Sequence, residues 1–390
     1  MQTGLAPLIF ELCTIIISAA ILGTLFLYAR QPIILAYIAA GIIIGPQGLN
    51  LIHNAGNITQ IGNLGVILLL FLIGLNLQPK KLLQLFKESS LVTFATSGFF
   101  FLVSLIVALA CLFPLGESLI IAAAMMFSST VIGLKLIPTT TLHHKHMGEV
   151  MTSVLLIQDL LAISVLIFLN IGGGNAIIIA FAMMLLKFTG LCLLAYVGVR
   201  YIILPLFSRF DVIQEYSFVM TLAWCFFLAE LGHQAGLSYE SGAFVAGVSI
   251  AVSRVSQVIS IHLKPLREFF LILFFFAIGA RMDLAAGNLY SLLGIGFGIL
   301  LVPIKSWGFN KALTLAHENP GLTRELGARL SQASEFSFLV AYTATNNDML
   351  SPAATLFIQT TTITTFVIST YWVVRRYPTP ISIDNTLRRD

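Results

Sequence analysis

The chain has 390 residues, 58% of them hydrophobic and only 10% charged, with a formal charge of +4. The charged share is less than half the about 25% of an ordinary soluble domain. With a mean hydropathy of +0.95, this speaks against a soluble enzyme and for a polytopic membrane protein. The positive residues lie at segment ends rather than in one patch, which argues against a nucleic-acid partner.

About 20 apolar residues cross the roughly 30 Å hydrocarbon core as a helix. That length predicts about thirteen spans, at roughly 7–29, 32–50, 59–78, 88–113, 117–138, 147–170, 175–201, 213–235, 239–257, 265–281, 287–313, 324–346 and 352–374. The runs lack the period-two alternation of an outer-membrane barrel. With the N-terminus outside, all of the 21 Lys and Arg except Lys187, Arg281 and Lys305 fall in cytoplasmic connections or the tail, the asymmetry of the positive-inside rule. The expected topology is therefore N-out and C-in. The first span lacks the basic flank and small-residue cleavage site of a signal peptide. Cys13, Cys111, Cys192 and Cys225 sit inside apolar runs with neither metal-ligand nor disulfide spacing.

Internal repetition follows from one shared shift of 205. It carries Ile73-Gly74 onto Ile278-Gly279 and Ser128-Ser129-Thr130 onto Ala333-Ser334-Glu335. The Ala40-Gly41 pair has a counterpart in Ala246-Gly247. Spans one to six and eight to thirteen then read as two inverted repeats, with the seventh span as connector, a hallmark of secondary transporters.

Two polar knots, Phe127-Ser128-Ser129-Thr130-Val131 and Ser331-Gln332-Ala333-Ser334-Glu335-Phe336, lie where hydrocarbon is expected. A plain reading has Ser and Thr bonding within a helix and helping it pack. In register across two repeats, the knots point instead to discontinuous helices that cross, with unwound backbone buried in protein or lining water. Crossing half-helices bring partial positive and partial negative ends together, and Glu335 and Lys305 are candidates to offset those fields.

The centre of the sequence is Leu155-Leu156-Ile157-Gln158-Asp159-Leu160-Leu161, a carboxylate inside an apolar span. At mid-membrane such a group costs roughly 2.5–3.5 kcal/mol on insertion scales, so it needs a partner, a wet cavity or a task. A carboxylate is a hard oxygen ligand for an alkali cation and also takes a proton. Competition between the two at Asp159 is sufficient for exchange. A structural ion pair with Lys305, just after Pro303, is the plainer alternative, and the two are compatible. Gln158 is neutral, so the pair carries a single acid and suggests one cation for one proton, an electroneutral cycle. His143, His144 and His146 read as a solvated loop, Glu230 and Glu11 as interfacial or packing residues, and Lys187 as a mid-span lysine able to snorkel.

Gly41-Ile42-Ile43-Ile44-Gly45-Pro46-Gln47-Gly48-Leu49, Leu69–Leu75, Phe127–Thr130, Gln158-Asp159, Gly242–Gly247 and Leu330–Phe336 together resemble the motifs of monovalent cation:proton antiporters of the second branch (CPA2), most closely the Kef-type potassium/proton antiporters. The resemblance covers nearly the whole chain. It implies an all-helical bacterial inner-membrane antiporter (residues 1–376), a homodimer, and an elevator-like cycle. Residues 7–78 and 213–281 would form the dimerisation part, 88–170 and 287–374 the moving core, and 175–201 the linker helix. Asp159 would bind the monovalent cation, K⁺ in preference to Na⁺, with Gln158, Ser128, Ser129 and Thr130 beside it. Lys305, Glu335, Ser334 and Gln332 would compensate charge at the crossover. No cofactor is implied beyond the transported ions. Kef-type proteins usually continue into a nucleotide-binding domain, whereas only residues 377–390 follow the last span, without a Gly-rich phosphate fingerprint. A regulatory subunit or a further C-terminal domain is thus an implied partner. A sodium-coupled organic anion symporter shares crossed broken helices and is the rival transporter. An intramembrane hydrolase would need a second acid facing Asp159 or a Ser–His pair at depth; Glu335 is the only mid-span acid to nominate, and no His is clearly at that depth.

Overall fold

The computed structural model describes residues 5–29, 31, 33–46, 48–52, 64–65, 67–68, 70–72, 74–75, 79–137, 146–169, 177–210, 214–237, 239–251, 256–282 and 288–379. Among them the extended regular structure is helical. In chain order the helices are α1 (Leu5–Tyr28), α2 (Ile33–Ile44), α3 (Pro79–Ala110), α4 (Leu115–Met125), α5 (Thr130–Lys135), α6 (His146–Leu169), α7 (Ile177–Gly198), α8 (Leu204–Phe210), α9 (Gln214–Gln234), α10 (Tyr239–Ala251), α11 (Ser256–Arg281), α12 (Asn288–Leu315), α13 (Pro320–Arg329), α14 (Phe336–Asn346) and α15 (Pro352–Arg376). A π-helical turn, Val199–Ile203, joins α7 to α8. The described residues between 64 and 75 are also helical.

Local chemistry sets many of these ends. Asn319 accepts a bond from Gly321 N at 3.0 Å and Pro320 opens α13. Ser351 accepts from Ala354 N at 3.3 Å and Pro352 opens α15. Both pairings place a polar N-cap before a proline whose missing N–H is not needed. Leu112, His317 and Asp348 adopt positive φ just after α3, α12 and α14, which turns the chain out of each helix. Two helices begin well before their apolar spans. α3 begins at Pro79 rather than 88, and α11 begins at Ser256 rather than 265. Hydropathy locates the membrane-crossing part of a helix and is blind to its polar extension.

The chain forms two compact units, residues 1–52, 85–169 and 278–390 in one and 53–84 and 170–277 in the other. In the second, α7, α9 and α10 pack about Leu191, Ala195, Trp224, Leu228, Ala243 and Ile250 together with Phe71 and Leu72. There a Cβ on Gly247 would lie 2.0 Å from Phe71 O, and one on Gly74 would lie 2.4 Å from Phe244 O. Only glycine lets these backbones touch. In the first unit, a Cβ on Gly279 would lie 2.1 Å from Ile38 O. The shift of 205 that carries Gly74 onto Gly279 carries Phe244 to within one residue of Ile38.

The site lies in the first unit. Met151, Val154 and Leu155 of α6 pack with Phe100 of α3, Phe309 of α12, and Leu326 and Leu330 around the end of α13. The spans predicted at 117–138 and 324–346 are both interrupted. Residues 126–129 separate α4 from α5, and residues 330–335 separate α13 from α14.

Candidate ion-binding site

Two uninterrupted helices carry Asp159 and Lys305 to the interrupted ones. α6 presents Gln158 and Asp159, and α12 presents Lys305 two residues beyond its internal Pro303. Asp159 is 2% exposed and Lys305 fully buried. Ser128, Ser129, Gln332 and Ser334 are also fully buried, and Glu335 is 2% exposed.

The first residue of α5 meets the acid. Thr130 Oγ1 lies 3.0 Å from Asp159 Oδ1 and 3.1 Å from Oδ2, donating to the carboxylate. Ser129 Oγ caps the same turn by accepting from Ile132 N at 3.0 Å. Gln158 points into the break instead of into solvent. Its Oε1 accepts from Ser128 N at 3.0 Å, and its Nε2 donates to Ser97 Oγ on α3 at 3.4 Å. An unwound segment has backbone groups with no helical partner, and Gln158 supplies one of the missing acceptors.

The two breaks are bonded to each other. Ser128 Oγ donates to Leu330 O at 2.7 Å, Gln332 Nε2 to Ser129 O at 3.4 Å, and Ser337 Oγ to Ala124 O at 2.6 Å. The interrupted helices therefore meet at their interruptions, as crossed discontinuous helices must. Ser334 acts locally, accepting from Phe336 N at 3.2 Å, and Glu335 is the residue from which α14 starts.

Lys305 sits at the carbonyl ends. Its Nζ donates to Met125 O at 3.4 Å, to Phe127 O, and to Gln332 O at 3.2 Å. These acceptors lie at or just past the ends of α4 and α13, where unpaired carbonyls concentrate negative partial charge. The Phe100 ring lies 5.2 Å from the same Nζ, within cation–π range. Asp159 and Lys305 form no ion pair, in contrast to the pairing the sequence left open. The ammonium is already occupied by three main-chain oxygens.

Several contributors lie outside the residues singled out from sequence. Ser369 Oγ donates to Gln332 Oε1 at 2.9 Å, Thr365 Oγ1 accepts from Ala333 N at 3.0 Å, and Thr361 Oγ1 donates to Gly294 O at 3.0 Å. Thr361, Thr365 and Ser369 are four apart along α15. That spacing puts the three on one face of α15, within a segment where Thr also recurs on other faces. Ser97 and Phe100 on α3 carried no such pattern. Of the blander residues, His146 pairs with Glu318 at 3.0 Å, Glu230 accepts from Gln234 Nε2 at 3.0 Å, and Lys187 is exposed on α7. His143 and His144 lie outside the described residues.

The structure thus holds a buried carboxylate, Asp159, against one of two crossed breaks within an all-helical membrane domain. A sequence profile of the family described as sodium/hydrogen exchanger, transmembrane, matches residues 15–376. The chain belongs to this sodium/hydrogen exchanger family. Its fold is that of the sodium proton antiporter MjNhaP1 from Methanocaldococcus jannaschii, with a TM-score of 0.72 at 16% identity over 94% of this chain and 96% of that one. Among curated exchanger relatives, the iron transporter MagA of Paramagnetospirillum magneticum is 27% identical over 361 residues, 92% of this chain and 83% of MagA. The glutathione-regulated potassium-efflux system protein KefC of an Enterobacter species is 30% identical over 332 residues, 82% of this chain. The aligned region spans only 52% of that KefC. The exchanger resemblance drawn from the motifs thus holds for nearly the full chain, and the protein is a multi-pass membrane transporter.

Proposed function

We propose that this exchanger is a secondary active antiporter that moves one monovalent cation, K⁺ in preference to Na⁺, against one proton. The observation that carries the reading is the buried carboxylate of Asp159, held by the Thr130 hydroxyl beside the first break. A desolvated carboxylate binds a proton or a cation. With one acid in the pair Gln158-Asp159, either occupant neutralises it. An empty, charged site is costly to carry through hydrocarbon, so only loaded forms cross, and the two fluxes are coupled. Gln158, Ser128, Ser129 and Thr130 shape this seat, while Lys305, Gln332, Ser334 and Glu335 balance the crossover. On this reading the chain works as a homodimer in a bacterial inner membrane, with residues 88–170 and 287–374 moving as an elevator against 7–78 and 213–281, and it is not an enzyme.

Purified protein in liposomes with an internal pH dye provides the test. Addition of K⁺ or Na⁺ to wild type collapses an imposed pH gradient, and Asp159→Asn abolishes the response. Exchange of normal size in that variant overturns the assignment. A robust net current would instead mean that the cycle is not one-for-one. Uptake dependent on an organic anion would favour the symporter.

A further inference from the structure

One buried cation takes no part in the site described above. Arg329, the last residue of α13, is fully buried. Its Nη1 donates to Leu136 O, just past the end of α5, at 2.7 Å. Its Nη2 donates at 2.7 Å to Pro378 O, in the chain leaving α15. Nε and Nη2 also reach Glu325 Oε1 at 3.0 and 2.7 Å. The Tyr377 ring lies 5.9 Å from the guanidinium carbon, and Tyr377 Oη donates to Arg324 O at 3.3 Å. A planar guanidinium with five donors suits such divergent acceptors, and a lysine would not reach them all.

The segment that Arg329 fixes matters because α5 has only 6 residues. A helix that short does not hold itself, since nucleation is unfavourable and little propagation follows. Its position depends on what anchors its ends. At the start, Ser129 and Asp159 hold it; at the far end, Arg329 takes the Leu136 carbonyl. The residue after Arg329 is Leu330, whose carbonyl accepts from Ser128 in the first break. One guanidinium therefore ties α5, the end of α13 and the chain after α15 into a single body.

We propose that Arg329 is a positioning residue for ion binding, fixing the end of α5 to α13 and to the Tyr377-Pro378 backbone and so setting where Thr130 meets Asp159. The proposal rests on the reading of Asp159 as the ion-binding acid. It links the backbone after α15 mechanically to that acid, so a pull on Tyr377 and Pro378 changes cation affinity.

The test compares wild type, Arg329→Met, Arg329→Lys, Glu325→Gln and Tyr377→Ala in two assays, with K⁺ and Na⁺ each titrated. The first is cation-driven proton movement in liposomes. The second is the cation-dependent rise in melting temperature in detergent, which reads binding without transport. Arg329→Met is expected to raise the cation concentration for half-maximal effect about tenfold, within the about 5- to 150-fold range of inter-site coupling, while the maximal rate per folded protein is nearly kept. Arg329→Lys falls between it and wild type, and Glu325→Gln and Tyr377→Ala shift the midpoint less, in the same direction. A lower yield or melting temperature with an unchanged midpoint in both assays makes Arg329 a structural staple only and overturns the proposal. If Arg329→Met does not fold, Tyr377→Ala decides, because it leaves the guanidinium and every ion-site residue in place, and an unshifted midpoint overturns the proposal. A wild type without exchange overturns the antiport reading alone, because the melting assay still reports the effect of Arg329 on binding.

Discussion

The break between α4 and α5 contributes two serines and no charge, whereas the break between α13 and α14 contains its own acid, Glu335. The first break receives charge from unbroken helices: Asp159 of α6 at Thr130, and Lys305 of α12 at Met125 O and Phe127 O. The second shares Lys305, through Gln332 O, and is held from behind by Thr365 and Ser369 of α15. The first break is thus the one where charge can change without rebuilding the backbone. Protonating Asp159, or placing a cation on it, alters the field beside α5 while Gln158 keeps the Ser128 amide satisfied. In the second break the hydroxyls of Thr365 and Ser369 hold Ala333 N and Gln332 Oε1.

That contrast is broken most directly by exchanging the roles of the two acids. Asp159→Asn is expected to lose all exchange, whereas Glu335→Gln keeps a measurable fraction, since Glu335 starts α14 without capping it through its side chain. Equal and complete loss in both variants, measured in the same liposomes, would erase the distinction between the breaks. Next in size is Lys305→Met. It leaves three carbonyls buried without their donor, at about 1–3 kcal/mol for each buried unsatisfied group. The melting temperature in detergent should fall by more than in any single serine variant of either break. A melting temperature within a degree or so of wild type would mean the carbonyls find other donors and that Lys305 does not hold the crossover.

Proton competition sharpens the same comparison. If H⁺ and the cation occupy one carboxylate, the cation concentration for half-maximal exchange rises as pH falls, by at most about tenfold per pH unit for one proton displaced by one cation. The sign is fixed by the competition: more protons mean more neutral Asp159 and a higher cation demand. A midpoint independent of pH over the acidic range would place proton and cation on different groups.

Much of this was legible in the sequence for a physical reason. Span positions follow from apolar length, and the two breaks follow from polar residues that hydrocarbon would not tolerate in an uninterrupted lipid-facing helix. Asp159 stood out because a carboxylate at that depth needs a partner, a wet cavity or a task. What stayed hidden depended on direction instead of composition. Nothing in the spacing indicated that Lys305 turns toward Met125 O, Phe127 O and Gln332 O and not toward Asp159. Arg329 read as an ordinary positive-inside residue, because charge counting cannot distinguish a solvated arginine from one folded back onto Leu136 O and Pro378 O. Phe100 was one of 30 phenylalanines, and only the contact with Lys305 sets it apart.

The smallest expected effect tests how the second break is backed. α12 and α15 approach closely at two glycines: a Cβ on Gly294 would lie 2.1 Å from Thr360 Oγ1, and one on Gly298 would lie 2.7 Å from Thr364 Cβ and 2.9 Å from Thr361 O. Between them, Gly296 faces open space, with nothing within 4 Å of a Cβ. Gly298→Ala must therefore push α15 away, carrying the stripe that holds Ala333 and Gln332, at about 1–3 kcal/mol for overpacking. Gly296→Ala meets no obstacle and gains about 0.5–1 kcal/mol from the helix preference of alanine over glycine. The two variants, each adding one methyl group to the same helix two residues apart, should move the melting temperature in opposite directions. Exchange should fall only for Gly298→Ala. If both are neutral, α12 and α15 have slack, and the stripe of Thr361, Thr365 and Ser369 does not fix the second break as tightly as its hydrogen bonds indicate.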